Sequence, residues 1–331
     1  MAAEAPLDLS LNAAPLPTPP SVVRALGPVP SSVAAGGYGR LRDAIAVRLG
    51  IPPSSILPGT GSMELIYMAA RAFVGPEKKA VILVPTFEEY ARAVSGVGAE
   101  AIQLVAGEAD GFLWNMEAVL NTVAESRPDL LVVCNPNNPT GVYLDQEEIH
   151  QLAEAVKPGL FLIDEACLDF AEDPWDTLPM LGLGNVVLLR SFTKTFALWP
   201  VRVGYALGTP EHMDRLGQCR MAAALNPHVE AVGLAALAEE DHPRLVREAV
   251  IRVKKELARQ LTVLGLRAFP TQTSFLLVKV PDSARMWREL RLRGIMVRDC
   301  LSFGLPGFVR VATPPEVEIS RVVRAFREAL E

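Results

Sequence analysis

The chain of 331 residues has 32 lysines and arginines against 38 acidic residues, a formal net charge of -6 that excludes the basic footprint of a nucleic-acid-binding protein. Half of the residues are apolar, enough for one large core or two smaller ones. Four scattered cysteines (Cys134, Cys167, Cys219, Cys300) show no CxxC spacing, which argues against a zinc site or a disulfide framework and fits a reducing cytoplasm.

Met1 to Pro20 lacks the basic start and long apolar run of a secretory signal, and no stretch is apolar enough for a membrane span. Residues 7 to 30 are dense in proline and read as an extended arm, with Asn12 able to turn toward a site. Ala35-Gly36-Gly37-Tyr38-Gly39 is a flexible break before a helical pattern from Leu41 to Leu49. Next, Gly59-Thr60-Gly61-Ser62-Met63-Glu64 opens an apolar-periodic helix that runs to Phe73. A glycine-rich helix entry exposes backbone N–H groups at a positive helix end, a seat for phosphate.

Ala80 to Val84 is a buried strand followed by Pro85-Thr86-Phe87, and an aromatic at that point can lie on a planar ligand. Tyr90 faces either a substrate or the core. A strand at Ala101 to Val105 and a helix at Trp114 to Val123 follow. The apolar strand Asp129 to Cys134 ends in Asn135-Pro136-Asn137-Asn138-Pro139-Thr140-Gly141, a turn by composition. After a helix from Leu144 to Val156, N-capped by Asp145, the strand Leu160 to Ile163 ends in Asp164. A carboxylate there is costly unless it is paired.

Val186 to Leu189 is the next strand, and Ser191, Thr193, Lys194 and Arg202 follow within twelve residues. The hydroxyls and the guanidinium suit a phosphate, and an amine in an apolar pocket suits a Schiff base. The same residues also fit a solvated basic turn. Helices are expected at His212 to Ala224 and Pro227 to Ala238, then a long basic amphipathic one at Pro243 to Leu264. Strands at Leu266 to Val280, a helix at Met286 to Arg293, a return strand from Gly294, a strand Phe308 to Ala312 and a helix Val317 to Leu330 complete the chain. Arg310 lies on an apolar strand, so it either pairs with Asp299 or a glutamate or receives an anionic ligand.

Strands alternate with helices from residue 56 to 207, and the motifs sit at strand C-terminal ends, where open parallel α/β sheets bind ligands. Gly-x-Gly-Ser, Pro-Thr-Phe, Asn-Pro-Thr-Gly, Asp-Glu-Ala and Ser-x-Thr-Lys with its arginine occur in one order, and that set resembles the pyridoxal-phosphate enzymes of the aspartate aminotransferase fold. The resemblance implies an α/β fold: a large domain (36–240) with a mostly parallel central sheet flanked by helices, and a smaller α/β C-terminal domain (241–331). An N-terminal arm (1–35) would pack with the small domain.

It further implies that Lys194 carries the cofactor and that Asp164 protonates its ring nitrogen. Asn138 would bind the phenolic oxygen, and Phe87 would stack on the ring. Backbone amides of Ser62 and Met63, with Ser191, Thr193 and Arg202, would hold the phosphate, and Tyr38 would reach that of a neighbouring subunit. Arg310, with Arg298 nearby, would clamp the substrate carboxylate or phosphate, and Asn226 is a weaker candidate. The chain departs from the family pattern at Cys167, where tyrosine is common, at Ser274, where asparagine is usual, and at Trp199-Pro200, where a small residue and glycine are usual.

The resemblance is closest to the histidinol-phosphate aminotransferase branch, so amino transfer between a small phosphorylated amine and a 2-oxo acid in a cytoplasmic homodimer with shared active sites is the expectation. Its relative, threonine-phosphate decarboxylase, is the alternative, on Leu168-Asp169-Phe170, Phe192-Thr193-Lys194 and Arg298-Asp299-Cys300 with Phe303-Gly304-Leu305. A non-catalytic member would need a DNA-binding module, and the sequence has no helix-turn-helix or basic extension.

Overall fold

The computed structural model describes residues 5–27, 38–221 and 226–331. The arm holds β1 (Leu7–Asp8) and α1 (Pro20–Ala25), and α2 (Gly39–Leu49) follows. Then come β2 (Ile56–Gly59), α3 (Gly61–Phe73), β3 (Lys79–Val84), α4 (Glu89–Gly96), β4 (Glu100–Val105), α5 (Met116–Ser126), β5 (Leu130–Cys134), α6 (Gln146–Ala155) and β6 (Leu160–Asp164). β7 (Val186–Ser191), the single turn α7 (Phe192–Thr195) and β8 (Gly204–Leu207) complete a seven-stranded sheet of order β2-β8-β7-β6-β5-β3-β4. Only β8 runs antiparallel to its neighbours.

The inner strands are continuous apolar runs because helices cover both faces. Leu131, Val133, Phe161, Ile163, Val186 and Leu188 face one core, shared with α2, α5, α6 and α8's successor α9 (Pro227–Ala238) once α8 (Pro210–Gln218) has passed. Leu130, Val132, Leu160, Leu162, Val187 and Leu189 face the other, shared with α3, α4 and α8. The connections reverse direction between β3 and β5, so a crevice opens beyond the C-terminal ends of these strands.

The long α10 (His242–Val263) leads to β9 (Arg267–Phe269), β10 (Phe275–Lys279), α11 (Ser283–Leu292), β11 (Ile295–Met296), β12 (Arg298–Asp299), β13 (Phe308–Ala312) and α12 (Ile319–Leu330). β12, β13, β10 and β9 form an antiparallel sheet over a separate core that includes Leu257, Val278, Val309 and Phe326. The arm joins this unit through β1, which pairs in parallel with β11. Leu9 extends the join by donating to Met296 O and accepting from Ala312 N, which carries Ser10 and Asn12 toward the crevice.

Two expectations from the sequence need correction. The arm is not extended throughout, because α1 forms within it. Pro20 occupies the first helical turn, where a missing N–H costs nothing, and Val22 is buried against the core that holds α9. The helix expected to reach Ala224 ends at Gln218. Residues 222–225 and Ala35 to Gly37 lie outside the described residues. Among the described residues no helix is long and apolar enough to cross a membrane.

Candidate active site

β5, β6 and β7 are parallel and in register, with Cys134 opposite Asp164 and Asp164 opposite Leu189. Their ends therefore deliver Asn138, Asp164 and Lys194 to one side of the sheet. Asp164 is only 3% exposed. The Tyr90 hydroxyl donates to its Oδ2 at 2.7 Å, and the Ala166 amide to its Oδ1 at 2.9 Å. No lysine or arginine nitrogen among the described residues lies within ion-pair distance of it. Two neutral donors offset part of the desolvation of a buried carboxylate, and a cation is needed for the rest. Burial and the Asp164 charge push the Tyr90 phenol well above its usual range, so it remains a donor. The sequence did not identify this role, because Tyr90 and Asp164 are 74 residues apart. Beside it, Glu165 pairs with Arg190 at 2.8 Å and ties the end of β6 to β7.

Lys194 sits on the one-turn α7. The Ser191 Oγ accepts from the Thr193 amide at 3.2 Å and caps that turn. The Thr193 hydroxyl donates to Val203 O at 3.2 Å and accepts from Val203 N at 3.0 Å. Its single O–H is thereby committed, so Thr193 clips the lysine turn to the start of β8 and has no donor left for a phosphate. Lys194 Nζ lies 3.4 Å from Cys167 Sγ. Burial by itself would lower the lysine pKa, but the Cys167 sulfur and the Asp164 carboxylate outweigh it and hold the amine above its usual value. Burial likewise pushes the Cys167 thiol up.

The entry to α3 lies beside this turn. Thr60 makes no side-chain cap, so the amides of Gly61, Ser62 and Met63 are left to an outside acceptor. Glu64 instead turns back to the Thr60 amide at 2.6 Å. A Cβ on Gly204 would stand 2.9 Å from Ser62 N, and one on Gly61 would stand 3.3 Å from Arg202 Cβ and Nε. The cradle therefore depends on glycine at both places. Arg202 has a positive φ of 59° and no carboxylate within ion-pair distance among the described residues. Burial lowers its pKa. Met63 exposes its side chain, so only its amide is placed to serve. The Tyr38 hydroxyl accepts from Asn226 N at 2.8 Å and lies 3.4 Å from Thr60 Oγ1, at the same helix mouth of its own chain.

Across the crevice, Arg310 on β13 stands opposite Arg298 and Leu277. Its Nη1 donates to Asn138 Oδ1, and its Nη2 to Ser10 O at 2.7 Å. Phe275 and Phe303 flank the guanidinium at 5.1 and 5.8 Å, and Nε has no partner. Burial lowers its pKa to about 10. Pairing with Asp299 does not occur, because Asp299 accepts from the Leu301 amide instead. Arg298 is more exposed, donating to Ser302 Oγ at 3.0 Å and lying 3.6 Å from Glu88. Asn12 is buried with Oδ1 unpartnered. Phe87 meets Tyr90 edge-on at 5.8 Å. Next to it, Thr86 donates to Asn137 Oδ1 at 2.7 Å, locking the turn after β3 to the turn after β5.

The set is incomplete in a consistent way. A buried carboxylate lacks a cation, two guanidiniums lack carboxylates, and a helix mouth lacks a cap. Pyridoxal phosphate would answer all three, and Asp164, Lys194, the mouth of α3 and Arg202 are the residues that would hold it.

Comparison with known proteins points the same way. The family model described as aminotransferase class I and II matches residues 5–326. A histidinol-phosphate aminotransferase of Moorella thermoacetica is 32% identical over 98% of this chain and 85% of its own length. Another from Symbiobacterium thermophilum is 32% identical over 92% of this chain and 88% of its own. The solved histidinol-phosphate aminotransferase of Sinorhizobium meliloti, in complex with pyridoxal-5'-phosphate, is 25% identical and superposes with a TM-score of 0.86 over 98% of this chain and 91% of that one.

Proposed function

Because the chain belongs to the aminotransferase class I and II family, we propose that its substrates are a small phosphorylated amine or amino acid and a 2-oxo acid, as for a histidinol-phosphate aminotransferase. The protein is a pyridoxal-phosphate-dependent aminotransferase, and the substrate reading rests on one observation. Arg310 is a buried guanidinium without a carboxylate among the described residues, bonded to Asn138 at the cofactor site. A fork so placed suits a substrate anion held beside the ring, the phosphate of the amine or the carboxylate of the 2-oxo acid.

When bound, the cofactor supplies an electron sink for the bond broken at the amino carbon. Asp164 holds a proton on the ring nitrogen. Asn138 accepts from Arg310 through Oδ1, which leaves Nδ2 to donate to the phenolic oxygen. The Ser62 and Met63 amides, the Ser191 hydroxyl and Arg202 hold the phosphate. Lys194 Nζ would be the amine that holds the cofactor aldehyde and, once the substrate amine has replaced it there, the group free to carry a proton to and from the amino carbon. Phe87 covers the ring. Arg298, at the rim with Glu88, receives the substrate's distal anion, and Asn12 borders it from the arm. Tyr38 lines the phosphate end from the same chain or, in a homodimer, from the neighbour. We divide the chain into an arm to residue 35, a large domain to 240 and a small domain beyond, and assign a cytoplasmic homodimer, which four free thiols suit.

Arg310→Lys keeps the charge and loses the fork. The expected result is a KM for the amino donor raised about 30-fold, the scale of about 2 kcal/mol for a lost bidentate contact, with cofactor absorbance intact. An unchanged KM would contradict the assignment.

A threonine-phosphate decarboxylase is the second reading. Phe303, part of the segment that suggested it, stacks against both Arg298 and Arg310. Cys167 also leaves the phenolic oxygen a weak thiol donor where tyrosine is usual. Supplying histidinol phosphate with 2-oxoglutarate, then threonine phosphate, tests the two. Glutamate formed from the first supports transfer, whereas carbon dioxide released from the second moves the protein to the other branch.

A further inference from the structure

Trp199 follows Lys194 by five residues and precedes Arg202 by three. In the structure the Arg202 guanidinium carbon lies 4.9 Å from the centre of the Trp199 ring. The same arginine also lies against Gly61, where a Cβ would stand 3.3 Å from Nε. The guanidinium therefore has both an indole and the backbone at the mouth of α3 as neighbours. Among the described residues it has no carboxylate and no hydrogen-bond acceptor.

The indole is incomplete as well. Trp199 Nε1 is buried and has no acceptor. An indole N–H can only donate, and a buried unpaired donor is costly, so an oxygen from outside the chain is called for. Both unpaired donor groups belong to one stacked pair, and its arginine lies against Gly61 at the mouth of α3.

We propose that Trp199 is a positioning residue for the cofactor phosphate: its ring sets the plane of the Arg202 guanidinium, and its N–H adds a donor to the same anion. The inference rests on the assignment of pyridoxal phosphate to this site.

The test compares the wild type with Trp199→Ala and Trp199→Phe as apoproteins. Each is titrated with pyridoxal phosphate and, separately, with pyridoxal, which has no phosphate, and binding is followed by the visible absorbance of the lysine-linked cofactor. Trp199→Ala loses the stack and the donor, and is expected to bind pyridoxal phosphate at least about 10-fold more weakly. Trp199→Phe keeps the stack and loses the donor, and is expected to fall between, at about 3-fold. Pyridoxal affinity stays unchanged in both. Wild-type affinity in Trp199→Ala would overturn the proposal, as would an equal loss for pyridoxal, which would mark a general packing role. Wild-type affinity in Trp199→Phe would overturn the N–H assignment. Failure of the wild type itself to bind pyridoxal phosphate would instead strike the cofactor assignment.

Discussion

Lys194→Ala lowers turnover by about four orders of magnitude or more, and the visible absorbance of the bound cofactor disappears with it. The size follows from two losses at one atom. General acid–base transfer by a positioned amine contributes about 10²–10⁴-fold, and removal of the covalent link adds to that. Lys194→Arg is expected to fail as fully, because a guanidinium keeps the charge but does not take an aldehyde at neutral pH. Stability provides the control. Lys194→Ala removes the contact of Nζ with the Cys167 sulfur and its attraction to Asp164, so the apoprotein should lose no more than about 1–3 kcal/mol and stay folded. Residual turnover within tenfold of the wild type would remove Lys194 from the chemistry.

Asp164→Asn produces the second-largest effect. The substitution keeps the shape of the side chain and removes its charge. Breaking a buried ion pair costs about 3–5 kcal/mol, so the rate should fall by about two to four orders of magnitude. The local hydrogen bonds survive. The new amide nitrogen can face Tyr90, whose oxygen can accept, while the amide oxygen still receives Ala166 N. The free protein loses a buried charge together with its attraction to Lys194, two effects of opposite sign, and should stay within about 1–2 kcal/mol of the wild type. The thermal stabilisation on adding cofactor should shrink. A variant that loses activity because the apoprotein unfolds would show the reverse order and contradict the role given to Asp164.

The inner strands were legible because they are covered on both faces. Leu130 to Cys134, Leu160 to Ile163 and Val186 to Leu189 are apolar without interruption, and nothing competes with that signal. Helix α6 was legible for a local reason. Asp145 caps it, and Glu148 returns the bond to the Asp145 amide. Helix α1 was hidden because its prolines read as breakers, although Pro20 stands where a helix tolerates one. The site divides in the same way. Asp164, Asn138 and Lys194 each end or follow a readable strand. Tyr90 on Asp164, and Ser10 and Asn138 on Arg310, join residues 74, 300 and 172 positions apart, and no local pattern carries such pairings. Thr193 belonged to a recognisable motif, yet only the coordinates reveal that Val203 already occupies its hydroxyl.

Reducing the holoprotein with borohydride, digesting it and mapping the peptides by mass places the cofactor on the chain directly. The account predicts one modified peptide, with the pyridoxyl group on Lys194 and none in Lys194→Ala. Modification at another lysine, or at none, would contradict it.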